Sequence, residues 1–213
     1  MVNSRWNQSL TSRLYQQIHL STEEQAGSLL FTLKQNPEKR RLIRSLVVTI
    51  PAQRDSDDSE QLPAQRYLRN LFHKNLPALE HVYLLTSTFM SAITYMKDCV
   101  RGKVSLTRIT IVSHGPCVTM SMSYIWSVLK AFPNLEEFCF QFTGTDGRKE
   151  ETPRTLPAGL LLQKIKKLSV VGIAIDNEIV EELCCRCPNL EEMAINGEKR
   201  FALFSDSNTK YQL

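Results

Sequence analysis

Apolar residues recur along the chain at two alternating spacings. In seven places an apolar anchor precedes two polar residues and then two apolar residues that flank a variable position. The pattern is clearest in two related phrases, "PNLEEFCF" at 133–140 and "PNLEEMAI" at 188–195. Because alternate residues of an extended chain share one face, each phrase predicts a short strand with one buried face. The seven triplets are Tyr15-Ile18-Leu20, Ile43-Leu46-Val48, Leu79-Val82-Leu84, Leu106-Ile109-Ile111, Leu135-Phe138-Phe140, Ile165-Leu168-Val170 and Leu190-Met193-Ile195.

Between these phrases the spacing becomes helical. Residues 26–33 carry apolar side chains three and four apart, and Thr22 and Gln25 precede them as a capping box. Asp176 is placed as an N-cap ahead of a similar stretch at 179–187. Further helices are predicted over residues 67–72, 89–100 and 122–132, and prolines mark the turns at 37, 77, 133 and 188.

The seven anchors are 25 to 36 residues apart, which is the period of a repeat protein. A unit of strand, loop, helix and turn produces parallel neighbours and cannot bury its apolar faces alone. We therefore predict an α/β fold, a leucine-rich-repeat solenoid of about seven repeats with a curved parallel sheet and helices on its convex side. The array would span residues 14–197, between an N-terminal cap or truncated segment at 1–13 and a tail or weak cap at 198–213.

Aligning the predicted strands on their anchors gives a register between neighbouring strands, and this register makes a prediction that was not used to find the repeats. If the strands are stacked in register, residues two after each anchor are neighbours about 4.8 Å apart. The last four of them alternate in charge, and Arg44 would similarly lie beside Glu80, so opposite charges meet on adjacent strands. The row reads Gln17, Ser45, His81, Arg108, Glu137, Lys167 and Glu192.

The concave face of such a sheet is the predicted binding surface. Tyr and Arg are frequent at binding hot spots, and solenoids of this kind bind partners on that face. A solvated sheet face that is held by its charge rows is the alternative. The candidate partner-binding residues are His81, Tyr83, Arg108, Glu137, Lys167 and Glu192.

Composition indicates a globular protein that is not embedded in a membrane. Hydrophobic residues make up 42% of the chain and charged residues 23%, and no apolar run is long enough to span a membrane. The sequence also lacks a secretory signal pattern, so a cytoplasmic or nuclear location is predicted. A net charge of +4 is too small to imply nucleic acid by itself.

Three motifs invite a more specific chemical reading. Cys184, Cys185 and Cys187 are crowded together, but helical spacing places Cys184 and Cys187 on an apolar stripe, and no second cluster completes a metal site. His114 and Cys117 flank "HGPC" without a third catalytic group. We therefore expect no enzyme, metal or cofactor, although a small cysteine-dependent enzyme is an alternative hypothesis.

The segment "PEKRRLIR" is the third motif and supplies an alternative binding surface. Arg40, Arg41 and Arg44 could contact RNA or an acidic partner. Cations near a helix C-terminus are a common structural feature, and no aromatic residues interleave for base stacking. A solenoid that binds RNA or an acidic surface through this basic patch is therefore the second hypothesis, behind protein binding on the concave face.

"CCRCPNLEEMAI" is similar to the cysteine-containing leucine-rich repeats of F-box proteins, where a Cys-Pro-x-Leu phrase opens each strand. "LYQQIHLSTEEQAGSLLFTLKQNPEKRRLIRSLVV" resembles the first repeat after the F-box of many fungal F-box/leucine-rich-repeat proteins. The resemblance covers about residues 14–196 and implies the substrate-recognition part of a ubiquitin-ligase adaptor, with a protein target on the concave face. Too few residues precede the first strand to form an F-box, so a cullin-type ligase link would require one upstream.

Overall fold

The structure is a computed structural model that describes residues 4–50, 76–86, 105–114, 122–143, 156–157, 160, 162–173, 175–195 and 198–200. Short strands alternate with helices along these segments. The helices are α1 Ser4–Gln16, α2 Glu23–Gln35, α3 Met122–Ala131 and α4 Asn177–Arg186, with a 3-10 helix at Pro37–Arg41. The strands are β1 Gln17–Leu20, β2 Ser45–Ile50, β3 His81–Thr86, β4 Arg108–Ser113, β5 Glu137–Phe142, β6 Lys167–Val171, β7 Glu192–Ile195 and β8 Glu198–Arg200.

The eight strands form one sheet in the order of the chain. Strands β1 to β7 are all parallel to their neighbours, and β8 pairs antiparallel with β7 at the edge. All seven predicted strands are therefore confirmed, and the described chain is an α/β fold built on an open parallel sheet. Such an order is compatible with a solenoid-like, curved sheet.

The register is the one that the repeats predicted. Gln17, Ser45, His81, Arg108, Glu137, Lys167 and Glu192 form one continuous row of Cα partners. Backbone bonds repeat in the same way just before the strands: the amide of Glu80 donates to Arg44 O (2.8 Å), Glu136 to Thr107 O (2.8 Å) and Glu191 to Lys166 O (2.7 Å). The equivalence of the repeats thus extends beyond the strands themselves.

One continuous hydrophobic core lies against the inner side of the sheet. The inward positions are almost completely buried and come from every strand from β2 to β7. Helix α2 contributes Leu29 and Leu33, α3 contributes Trp126 and Leu129, and α4 contributes Leu183. Burying a Leu, Ile or Phe side chain contributes roughly 1.5–3 kcal/mol, so these inward rows supply much of the folding free energy. They are Leu46, Val82, Ile109, Phe138, Leu168 and Met193, then Val48, Leu84, Ile111, Phe140, Val170 and Ile195.

The predicted capping of α2 is confirmed. The hydroxyl of Thr22 accepts a hydrogen bond from the Gln25 amide (3.3 Å), and the side chain of Gln25 accepts one from the Ser21 amide (2.7 Å). At the other end, Asn36 donates its backbone N–H to Thr32 O. Asp176 occupies the predicted N-cap position of α4, although its side chain does not cap that helix.

Two elements near the ends of the chain were not predicted. Helix α1 includes Tyr15, which the repeat pattern placed as the anchor of the first strand. Leu10 and Leu14 lie four residues apart, a helical spacing, but they are 49% and 71% exposed, so burial does not reinforce the pattern. Strand β8 has the polar sequence Glu198-Lys199-Arg200 and is set by pairing with β7. The predicted helices at 67–72 and 89–100, and the tail beyond residue 200, lie outside the described residues.

Candidate partner-binding face

The side of the sheet opposite the core is here called the outer face. It consists of the outward positions of β1 to β7, which alternate with buried residues along most of β2, β3, β5, β6 and β7. In β4, Val112 occupies an outward position but is buried. All six predicted partner-binding residues lie on it. His81, Arg108, Glu137, Lys167 and Glu192 are consecutive in one row, and Tyr83 lies in the next row.

Opposite charges pair along and beside this row. The Nζ atom of Lys167 lies 3.7 Å from Glu192 Oε2, and these side chains are 51% and 40% exposed. Just before the strands, Arg44 Nη1 contacts Glu80 Oε1 at 3.1 Å and Lys166 Nζ contacts Glu136 Oε2 at 2.8 Å. The bond to Glu136 raises the pKa of Lys166. The predicted pairing of Arg44 with Glu80 is thus confirmed, although pairs this exposed add little stability.

His81 is half-buried and lies on β3, the middle strand of β2–β4, on the outer face. Its Nε2 atom lies 3.4 Å from Thr110 Oγ1 on the adjacent strand. Burial lowers the pKa of His81, and the positive charge of Arg108 lowers it further, while Glu137 acts in the opposite direction. His81 is therefore neutral near pH 7 and behaves there as a polar hydrogen-bonding group rather than as a cation.

Tyr83 stands between two partly buried neighbours in the next row. Its Cα partners are Val47 on β2 and Thr110 on β4. Leu85 occupies the following outward position on β3, and all four are of intermediate exposure. Sequence reasoning missed Val47 and Leu85 as face residues, because "SLVVTI" and "HVYLLT" are apolar on both sides. The register of the anchors was the signal that could have placed them outward.

Two of the four described cysteines have thiols whose pKa is raised by burial. Burial raises the pKa of the Cys187 thiol to about 12 and also raises that of Cys139 on the outer face. Cys187 is fully buried, Cys184 packs against the core and Cys185 is exposed, in line with the helical spacing. Where residues are described, no group of three His, Cys, Asp or Glu side chains is arranged to hold a metal ion.

The histidine of the "HGPC" motif has a structural partner. His114 Nδ1 lies 2.6 Å from Thr143 Oγ1, and that hydroxyl donates to Ser113 O at 3.1 Å. Since the hydroxyl has one hydrogen, the ring nitrogen is the donor to Thr143. Cys117 lies outside the described residues.

Most of the basic segment interacts within the chain. Arg40 donates from Nε and Nη2 to Leu33 O, at 3.2 and 3.0 Å, at the end of α2. Lys39 Nζ lies 5.1 Å from the centre of the Tyr15 ring, and Arg44 is paired with Glu80. Arg41 is exposed. These contacts account for Lys39, Arg40 and Arg44 without an external acidic partner.

Comparison with known proteins adds no family to this picture. No protein-family model matches the chain, and no curated protein matches it. The resemblance to F-box/leucine-rich-repeat proteins therefore stays a prediction. Separately, none of the helices in the described segments is both long and apolar enough to cross a membrane.

Proposed function

We propose that the protein is a leucine-rich-repeat solenoid that binds a protein partner on its outer face and has no catalytic role. One observation carries this proposal: seven parallel strands follow one another in chain order and bring all six candidate residues onto one face. A repeat sheet of this kind is an extended surface whose outward residues can change without disturbing the core.

The composition of the face favours binding over a purely solvated surface. Tyr83 and Arg108 are of the residue types that dominate binding hot spots, and both sit among partly buried neighbours. The charge pairs are exposed and contribute little to folding, so stability alone gives little reason for this row. Recognition by shape and charge complementarity needs no cofactor.

The role of this surface in the cell rests on the resemblance. A substrate-recognition part of a ubiquitin-ligase adaptor would hold its target here and reach a cullin-type ligase through an F-box. We propose this as the specific form of the function, acting in the cytoplasm or nucleus. The basic surface at Arg40, Arg41 and Arg44 is less favoured, because Arg40 and Arg44 already have partners within the chain.

The proposal can be tested by proximity labelling in cells with the full chain. A face variant, Tyr83→Ala with Lys167→Ala, is compared with the matched control Phe31→Ala with Lys34→Ala on exposed positions of α2. We expect a set of labelled proteins that the control retains and the face variant loses. If both variants label the same set as the unaltered chain, the outer face is not the binding surface.

The adaptor role has its own readout when the same three forms are tagged at their own genomic locus, so that any F-box encoded upstream is expressed together with them. Components of a cullin ligase should be labelled by all three forms, because an F-box link would not use the outer face. Their absence from every sample would contradict the adaptor role and leave the binding role intact.

A further inference from the structure

The outer face is not uniform, and its two halves differ in charge. On β5–β7 the first outward row is charged at every position, with Glu137, Lys167 and Glu192. On β2–β4 Arg108 is the one formally charged outward residue at pH 7, since the pKa of His81 is lowered. The remaining outward residues of that half are apolar, aromatic or hydroxyl-bearing, and all but the buried Val112 are partly exposed: Ser45, Val47, Thr49, Tyr83, Leu85, Thr110 and Val112.

The charges also differ in whether they are paired. Lys167 contacts Glu192, and beside them Lys166 contacts Glu136. Among the described residues, Arg108 makes no salt bridge or side-chain hydrogen bond, although Glu137 is its Cα partner on β5. Arg108 is exposed, so its guanidinium is available to an incoming group.

The surroundings of Arg108 provide an apolar surface next to this cation. His81 is its Cα partner on β3, and Tyr83 lies two residues further along the same strand, beside Val47 and Thr110. Neighbouring strands are about 4.8 Å apart, so these five side chains form one contiguous surface, here called the β2–β4 patch. A planar guanidinium at its margin matches a carboxylate, which it can hold through two hydrogen bonds.

We infer that the β2–β4 patch binds a peptide segment of a partner protein that presents an acidic side chain next to an aliphatic or aromatic one. This inference rests on the proposed function and specifies the chemistry of the partner. The acidic group pairs with Arg108, and the apolar side chain packs on Tyr83 and Val47. Within the described part of the face, β2–β4 therefore carries the recognition, while Lys167 on β6 and Glu192 on β7 are paired with each other.

A nucleic acid is disfavoured as the occupant. Binding to phosphates depends on neutralising several of them at once, and this patch offers a single cation. The adjacent half adds two carboxylates in the same row, Glu137 and Glu192, against one lysine. A phosphate backbone would meet net repulsion there, whereas one carboxylate needs one guanidinium.

The probe is a displayed library of random peptides, selected against the full chain and measured individually by fluorescence polarisation. We expect enriched peptides with Asp or Glu beside an apolar residue. Arg108→Gln should weaken their binding about tenfold or more, as expected for a hot-spot residue. Arg108→Lys should retain part of the affinity, and Arg108→Glu should change the selection toward Lys and Arg. The matched charge change Lys130→Glu, on an exposed position of α3, should leave affinity within about twofold.

Glu137 supplies a second, opposite test. Because Glu137 is the Cα partner of Arg108 on the neighbouring strand, its negative charge repels an acid that approaches Arg108. Glu137→Gln should therefore tighten binding of the acidic peptides, which mere loss of folding could not produce. Melting temperatures of all variants close to that of the unaltered chain would show that they remain folded.

The other outcomes separate this inference from the proposed function. Enriched peptides that depend on Tyr83 or Lys167 but not on Arg108, or that carry no acidic residue, overturn the inference and leave outer-face binding in place. Enrichment of no peptide also overturns it, and the cellular labelling then decides the proposed function separately. Tighter, salt-sensitive binding of a labelled single-stranded RNA that is lost in Arg108→Gln would replace the peptide with a nucleic acid.

Discussion

The two sides of strand β5 differ in burial and in residue type. Phe138 and Phe140 point to the inner side and are almost completely buried, while Glu137 and Cys139 alternate with them on the outer side. Across the sheet the inner rows stay apolar from β2 to β7. The outer rows change from aromatic and apolar to charged over the same distance. The inner side is constrained by packing at every repeat, so what varies on the outer side is free to serve recognition.

The largest expected contrast is between two consecutive residues. Phe138→Ala should lower the free energy of unfolding by about 3–5 kcal/mol, because it removes a buried aromatic and leaves a cavity among Ile109, Leu168 and the helices. Cys139→Ala should lower it by about 1 kcal/mol or less, since that side chain is only half-buried. Urea unfolding measures both. Equal effects would show that the outer side is packed as tightly as the inner one.

The next prediction concerns Gly172, which lies directly after β6 and whose backbone conformation favours glycine. Its φ of 86° is left-handed, and a Cβ atom there would lie 2.1 Å from Phe142 O. Gly172→Ala should therefore destabilise the protein by about 1–3 kcal/mol or more in the same unfolding experiment. Gly172→Asn separates two causes, because Asn tolerates this φ better than Ala. If Asn is as harmful as Ala, the contact with Phe142 dominates; if Asn restores stability, the backbone angle does.

The repeating part of the fold could be predicted from the sequence because every repeat has the same spacing of apolar residues. Leu135, Phe138 and Phe140 on one strand and Leu190, Met193 and Ile195 on another obey one burial pattern, and the spacing of their anchors sets the register. Elements that occur only once could not be predicted from this repeated spacing. Helix α1 exposes Leu14, and β8 is polar, so neither presents the periodic burial on which the prediction depends.

The candidate site was predictable in position but not in detail. The register placed His81, Arg108, Glu137, Lys167 and Glu192 in one row from the sequence alone. The choice of which charges pair could not be made, because Glu137 has a cation on either side and Lys167 an acid on either side. Side-chain geometry decides this, and it joins Lys167 to Glu192.

That ion pair gives the next, smaller prediction. In a double-mutant cycle of Lys167→Ala and Glu192→Ala, the coupling energy should be about 0.2–1 kcal/mol at low salt, because both side chains are about half exposed. It should shrink as salt is raised to 0.1 M, where the Debye length is about 10 Å. Unfolding free energies of the four proteins give the coupling. A coupling energy well above this range would show that the charged row on the outer side also stabilises the fold. The contrast between a stabilising inner side and a variable outer side would then be weaker.

The smallest expected effect is the pH dependence that His81 contributes. Burial and Arg108 lower the pKa of His81 from its ordinary value of 6.5, so the unfolded chain takes up this proton before the folded one does. Stability from this residue is therefore complete above about pH 6.5, falls as the pH drops below that value, and stops falling once the folded form is also protonated. The difference in unfolding free energy between the unaltered chain and His81→Gln should decline between pH 7.5 and pH 5. Arg108→Gln should reduce this decline, because it removes a charge that opposes protonation. A difference that instead grows toward acidic pH would mean that Glu137 outweighs burial and Arg108, and that the β2–β4 patch gains a second cation when it is acidified.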